Sequence, residues 1–297
     1  MSGRTADAVY EVYALRYATH AERRSAANYL GEDPHDNAPM PLDFYVWVIR
    51  NPARTLLVDT GFSADMAVRR GRRYLASPVD LLKQIGIAAE SVEDIVVTHM
   101  HYDHAGNIAA FPKARLHLQE KEMAYCTGRC MCHAAMRSPF EARDVAQAVE
   151  RLHAGQLVFH DGDAEIAPGV SLHLIGGHTA GLQVVRVATE RGWLVLASDA
   201  AHYWDNLRAR RPFPIVLDVG RMLDGHRRIE ELADGPEHII PGHDPAVLAR
   251  FPPVRGADGI VALHRHPLDT YAERSQVATG GGRPFAVPLA HGLGSEL

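Results

Sequence analysis

Thr98-His99-Met100-His101-Tyr102-Asp103-His104 follows Asp94-Ile95-Val96-Val97, a β-branched run that reads as a short buried strand. Three imidazoles and one carboxylate thus fall within six residues just past a strand end. In extended backbone, side chains at i and i+2 share a face, so His99 and His101 can reach one ion together. A turn at Asp103-His104 can aim those two side chains at a second ion nearby. Imidazole and carboxylate suit zinc, at about 2.0–2.2 Å per bond. Ligand type alone leaves iron, manganese and cobalt open. Ala105-Gly106-Asn107 then lets the chain turn on into a helix.

Three later segments supply what this cluster lacks. Gly176-Gly177-His178-Thr179-Ala180-Gly181 puts a histidine on a glycine turn directly after the apolar run 170–175. Ala197-Ser198-Asp199-Ala200 ends the run 193–197 on an aspartate, and Pro241-Gly242-His243-Asp244 follows Ile239-Ile240. Each candidate stands just beyond the C-terminal end of an apolar strand, so all can converge on one sheet edge. Any one of these histidines alone reads more simply as a hydrogen-bonded core or surface residue. A chain with 18 histidines also holds some close pairs by chance. Chance does not readily yield HxHxDH plus three strand-end ligands in this order. Ser198 invites a serine-hydrolase reading but lacks the G-x-S-x-G context of a nucleophile elbow.

Around this constellation the 297 residues have the composition of an ordinary soluble protein, 46% hydrophobic and 23% charged, long enough to bury a core without disulfides. The net charge of −5 and the lack of a long basic stretch argue against a nucleic-acid partner. The short run Arg69, Arg70, Arg72, Arg73 reads as a solvated helix face. No window approaches the 18 apolar residues of a membrane span, and the first 20 residues hold no apolar signal core. Three cysteines, Cys126, Cys130 and Cys132, are an odd number and fit a reducing compartment, so a cytoplasmic location is expected. Their spacing matches none of the usual C-x2-C zinc patterns. With Met123, Met131 and Met136 they read as a soft apolar surface suited to a substrate wall or dimer contact.

Strands are expected at 44–49, 55–58, 94–98, 116–119, 157–159, 170–175, 183–187, 193–197 and 239–240, with helices over 79–85 and 219–232. The stretch 120–153 is mostly helical in pattern, broken near Ser138-Pro139. Two sheets with helices outside is the natural α/β architecture. A single domain is expected over 1–277, with the helical insert at about 120–153 and a loosely packed Gly/Pro-rich tail over 278–297.

HxHxDH at 99–104, GGHTAG at 176–181, SDA at 198–200 and PGH at 241–243 together resemble the metallo-β-lactamase superfamily, over about Asp43 to His243. The resemblance implies an αββα sandwich of two mixed sheets with two metal ions at one edge. His99, His101 and His178 would hold the first ion. Asp103, His104 and His243 would hold the second, and Asp199 would bridge them. Asp59, in Leu57-Val58-Asp59-Thr60-Gly61, matches the aspartate that orients a ligand histidine; read bare, it is equally a strand-end turn residue. Two such metals would hold a hydroxide at neutral pH for attack on a carbonyl or phosphoryl centre, with Asp103 placed to position or receive a proton.

Within the superfamily, true β-lactamases generally lack a bridging aspartate, and glyoxalase II-like thioesterases usually carry GDT where Ser198-Asp199-Ala200 stands. The SDA triplet, the long N-terminal strand region and the 120–153 insert are similar to the N-acyl homoserine lactonases, which open a lactone ring and commonly form homodimers. A small lactone or ester substrate is implied, with a thioester the alternative. The lactonases keep a tyrosine three residues after the bridging aspartate. Here that position is His202, and Tyr203 follows it. Either can donate a hydrogen bond to a developing oxyanion. Adjacent side chains of extended backbone point to opposite sides, so one of the two is expected to face the metals, His202 by position.

Overall fold

Along Leu42–Asn51 alternate side chains leave on opposite faces: Phe44, Val46 and Val48 enter one apolar cluster, and Tyr45, Trp47 and Ile49 another. A strand apolar on both faces must sit in a sheet covered on both sides. The computed structural model, which describes residues 8–268, shows how this is done.

Thirteen strands occur among the described residues: β1 Glu11–His20, β2 Leu42–Asn51, β3 Arg54–Val58, β4 Arg73–Tyr74, β5 Asp94–Val96, β6 Arg115–Gln119, β7 Leu157–His160, β8 Ala164–Ala167, β9 Val170–Leu174, β10 Gln183–Thr189, β11 Gly192–Ser198, β12 Ile239–Pro241 and β13 Ile260–Ala262. The first sheet runs β13-β1-β2-β3-β5-β6-β7, with β4 paired to the end of β1, and the second runs β12-β11-β10-β9-β8. Both are mixed: β3-β5-β6-β7 and β11-β12 are parallel, and the other pairs antiparallel.

Between the sheets lie Val12, Trp47, Ile49 and Val58 from the first and Val170, Val185, Val187 and Leu196 from the second. On the outer face of the first sheet, Leu15, Val46 and Leu57 pack with Met66, Leu81 and Leu82 of its helices. On the outer face of the second, Val184, Val195 and Ala197 pack on Met222, Ile229 and Leu232 of helix Val219–Leu232. These four layers are the expected αββα sandwich.

Strand direction places the site. β3 and β5 run parallel, so Asp59 and the 98–104 loop leave from one edge. In the second sheet β9 and β11 both run antiparallel to β10, and β12 runs parallel to β11. The residues after β9, β11 and β12 therefore also share one edge, and they carry His178, Asp199 and His243. The sheets are joined there: Thr98 oxygen accepts from the Gln183 amide at 3.0 Å, and the Thr98 and Ser198 hydroxyls meet at 2.9 Å.

The 120–153 stretch holds helices Glu120–Cys126, Ala134–Arg137 and Ala142–His153, the break falling where the Pro139 carbonyl accepts from the Tyr102 amide. Cys126 is buried, Cys130 half-buried and Cys132 exposed. The arginine run is not one helix face. Helix Ala64–Arg70 stops at Gly71, in the left-handed region at φ 63°, which turns Arg72 out of the helix. Among the described residues no helix is long and apolar enough to cross a membrane. The expected tail at 278–297 lies outside the described residues.

Candidate metal centre

Asp59 sits at the end of β3 at φ 61°, a left-handed conformation that non-glycine residues rarely hold without tertiary support. Its support is polar. One carboxylate oxygen accepts from the Thr98 amide at 2.7 Å, and the other accepts from the Thr98 hydroxyl at 2.8 Å and from His104 Nδ1 at 2.7 Å. The Thr98 hydroxyl donates to Asp59 and so is left to accept, lying 3.2 Å from His99 Nδ1. One buried aspartate thereby fixes two histidines, His104 directly and His99 through Thr98.

The other rings are anchored in the same way. His178 Nδ1 donates to the Ile215 carbonyl at 2.6 Å and His243 Nδ1 to the Asp43 carbonyl at 2.8 Å. With Nδ1 protonated, each ring turns an unprotonated Nε2 toward a common centre. Among the described residues His99 Nε2 and His104 Nε2 are buried without a hydrogen-bond partner, and His101 Nδ1 lies 3.0 Å from His178 Nε2. Buried polar atoms are rarely left unpaired, and lone pairs aimed at one another are what a cation satisfies. Two groups of ligand atoms, His99, His101, His178, Asp199 and Asp103, His104, His243, each lie within 4.8 Å of one another. The donor set of imidazoles and carboxylates fits two transition-metal ions.

Asp199 lies between the groups. Its Oδ2 is 3.1 Å from His178 Nε2 and 3.7 Å from His99 Nε2; its Oδ1 is 2.9 Å from His243 Nε2 and 3.2 Å from His104 Nε2. Burial would raise this carboxyl, but His202, His243, His104 and His178 outweigh it and hold Asp199 well below the usual carboxylate range. Burial, with neighbouring imidazoles, drives His99 and His101 well below the ordinary imidazole value and keeps them neutral. Burial also opposes a charge on His104, but Asp199, Asp59 and Asp103 outweigh it and raise that ring. The same negative surroundings would favour a metal cation in place of the proton.

His202 and Tyr203 part as their adjacency requires. His202 Nε2 lies 3.1 Å from Asp199 Oδ2, and burial, against the pull of Asp199, pushes the ring down to about 3. Tyr203 was a catalytic candidate, and here the structure corrects the reading. It caps helix Trp204–Ala209, its hydroxyl donates to the Pro41 carbonyl at 3.1 Å, and its ring packs in the core of the first sheet. Asp103 reaches the cleft, with Oδ2 3.8 Å from His104 Nε2 and 3.9 Å from His243 Nε2. Ser198 is fully buried at φ 45°, bonded to Thr98, and presents no nucleophile.

Residues 42–243 match the metallo-beta-lactamase superfamily. This chain belongs to that superfamily. It is a metal-dependent hydrolase by that membership and by the histidine–aspartate cluster. A probable metallo-hydrolase of Mycobacterium tuberculosis is 29% identical over 233 residues, 69% of this chain and 72% of the relative. The N-acyl homoserine lactonase AiiB of Agrobacterium fabrum is 31% identical over 173 residues, 52% of this chain and 62% of that enzyme. Among solved structures, a mutant of AiiA of B. thuringiensis with N-decanoyl-L-homoserine bound superposes with a TM-score of 0.64 at 22% identity, covering 81% of this chain and 96% of that one. AidC, a dizinc quorum-quenching lactonase, superposes with a TM-score of 0.61 at 17% identity, covering 87% and 98%.

One residue of this superfamily hydrolase escaped the sequence reading. Glu122 is fully buried beside the site. Its Oε1 accepts from the Met100 amide at 2.9 Å, and its Oε2 accepts from the Thr179 hydroxyl at 2.6 Å and the Gly181 amide at 3.0 Å. It ties the loop carrying His99 and His101 to the loop carrying His178. Gly181 is required by that approach, since a Cβ there would lie 2.3 Å from the Glu122 nitrogen. A glutamate in a helix's first turn ordinarily answers the helix dipole, so nothing in the local sequence marked it.

Proposed function

We propose that this chain is a two-metal hydrolase that opens the ring of a lactone, with zinc in both sites. His99, His101 and His178 would hold one ion, Asp103, His104 and His243 the other, with Asp199 between them. The observation that carries the reading is the division of Asp199, one oxygen toward each histidine group. Bound there, the ions would lower the pKa of water and polarise a carbonyl oxygen. The chain's own residues supply the rest. Asp103, at the cleft surface, is positioned to take a proton from the attacking water or return one to the leaving oxygen. His202 holds an N–H at the bridge, where negative charge gathers as the carbonyl is attacked. Phe44 packs edge-on to His243 at 5.3 Å and Phe213 stacks on His202 at 3.7 Å, giving the cleft a dry wall.

Lactones are preferred because Ser198-Asp199-Ala200 resembles the lactonase pattern, and because lactonases stand among both the sequence relatives and the structural neighbours. A proton-release screen on zinc-loaded protein, across N-acyl homoserine lactones, simpler lactones, acyl thioesters and β-lactams, tests the proposal. Ring opening of lactones is expected to dominate. Thiol release from thioesters, with the lactones untouched, would replace it with a glyoxalase II-like activity.

A further inference from the structure

The cleft over the metal ligands has a volume of about 200 Å³, and its rim carries a charge arrangement that lactone opening does not need. Arg23, Arg70 and Arg72 all line it, as does His20. Arg70 is neutralised: it pairs with Glu141 at 2.6 Å, donates to the Ser138 carbonyl at 2.8 Å and lies over the Tyr102 ring. Arg23 and Arg72 are not. Arg23 donates only to neutral acceptors, the Asn28 side chain and the Ala27 carbonyl, and lies over the Phe213 ring at 4.8 Å. Arg72 donates to the Tyr102 hydroxyl at 3.3 Å. Among the described residues neither has a carboxylate partner. Of the two carboxylates in the cleft wall, Asp103 and Asp199 both belong to the metal ligands.

The fold brings these groups together deliberately. β4 pairs with the end of β1, Thr19 opposite Arg73, which sets Arg72 beside His20. Arg23 follows on the turn closed by its own amide to the His20 carbonyl. Among the described residues His20 Nδ1 has no hydrogen-bond partner, and burial, reinforced by Arg72 and Arg23, pushes that ring down to about 4. Two half-buried guanidiniums and an imidazole thus share one wall. Stacking links that wall to the reacting centre: Arg23 lies on Phe213, Phe213 on His202, and His202 Nε2 lies 3.1 Å from Asp199.

We propose that Arg23 and Arg72, with His20, form a subsite for an anionic oxygen group, carboxylate or phosphate, carried by the substrate. Guanidinium forks match such groups with paired, charge-assisted hydrogen bonds, and like charges held in one wall favour an anion between them. The substrate class becomes a small lactone or ester bearing an anion on the side remote from the bond that is cut. This rests on the hydrolase reading for the place of the reacting bond, but not for the subsite itself.

A matched pair of γ-lactones tests it on zinc-loaded full-length protein, one with a side-chain carboxylate and the other its methyl ester. Wild type should favour the carboxylate by about ten-fold or more in kcat/KM, mainly through KM. That ratio should fall to about one in Arg23→Gln/Arg72→Gln, fall partway in Arg72→Gln, which loses only the Tyr102 contact, and persist in the exposed control Arg73→Gln. A wild-type ratio of one, or a ratio that survives the double substitution, overturns the subsite. If neither lactone opens, the lactonase reading fails and calorimetry decides the subsite separately, with glutarate and inorganic phosphate as probes. Binding that weakens about ten-fold or more in the double variant upholds it, the stronger probe naming the anion. Equal binding in both proteins, or none in wild type, overturns it.

Discussion

His202 and Tyr203 are neighbours with opposite surroundings, and the cause is backbone alternation. The ring of His202 enters the cleft and meets Asp199, while that of Tyr203 turns into the core of the first sheet and reaches Pro41, 162 residues away in sequence. Counting from Asp199 was enough to favour His202, because the spacing lies within one turn of chain. The partner of Tyr203 was illegible, because it depends on where β2 begins relative to β11 in the folded molecule. The two positions should therefore separate in kinetics and stability. His202→Ala removes a positioned donor, typically worth about 2.7–4 kcal/mol in the transition state, so kcat should fall roughly a hundred-fold or more with KM little changed. Tyr203→Phe removes one hydrogen bond far from the ions and should cost about 1 kcal/mol of stability with kcat nearly intact. Kinetics on the best substrate from the screen, with urea denaturation of both variants, reads the two effects. The reverse ranking would show that His202 serves only to pack against Phe213.

Among the elements, the strands that deliver ligands were the legible ones. Each is rich in buried apolar residues, β9 on one face only with Ser171 and His173 on the other, and each ends on a polar motif, so composition changes sharply where the strand meets the site. β4, β8 and β13 passed unread because they are short and end on no ligand motif, and their pairing is imposed by β1 and β9; β1 itself was expected only as part of a long N-terminal strand region, without bounds. The arginine run misled for a related reason. A helix of seven residues stopped by Gly71 leaves Arg72 outside its periodicity, and only the β1–β4 pairing shows which way it faces. Gly177 was legible as a turn, and the structure supplies the cause: φ is 83°, and a Cβ would lie 2.7 Å from the Met222 backbone. Glu122 links two loops from different sheets, so its removal should be felt as a packing and hydrogen-bond defect between elements. Glu122→Ala leaves the Met100 and Gly181 amides and the Thr179 hydroxyl buried without their acceptor. A loss of about 3 kcal/mol or more is expected. Urea denaturation of the chelator-treated protein measures that loss, and zinc titration should show weaker binding where His101 and His178 meet. Wild-type stability and affinity would mean that water replaces the carboxylate and that the two loops hold their places unaided.

At the scale of the molecule, the candidate ligands come from both halves of the sandwich. His99, His101, Asp103 and His104 follow β5 in the first sheet, and His178, Asp199 and His243 follow β9, β11 and β12 in the second. Each ion would therefore be held by both sheets, and the pair would join them at the edge where Thr98 and Ser198 already touch. Without ions this edge packs six imidazoles around the buried Asp199 and the half-buried Asp103, with His99 Nε2 and His104 Nε2 lacking a hydrogen-bond partner among the described residues. Metal binding should relieve that cost only in the folded state, so occupancy and stability are coupled. At a free zinc concentration about a thousand times the dissociation constant, the linkage is worth about 4 kcal/mol for each ion bound. For a domain of this size that corresponds to a melting shift of about 10 °C, at roughly 2–4 °C per kcal/mol. Elemental analysis should find about two ions per chain, chelation should lower the melting temperature by that order, and added zinc should restore it. Asp199→Ala removes the carboxylate shared by the two sites. Its metal content should fall below two, and its zinc-dependent shift should shrink far more than in Asp103→Asn, which touches one site. Protein that takes up no metal, or that melts at one temperature with and without zinc, would show that the two sheets meet at this edge unassisted and would remove the basis for the two-metal reading.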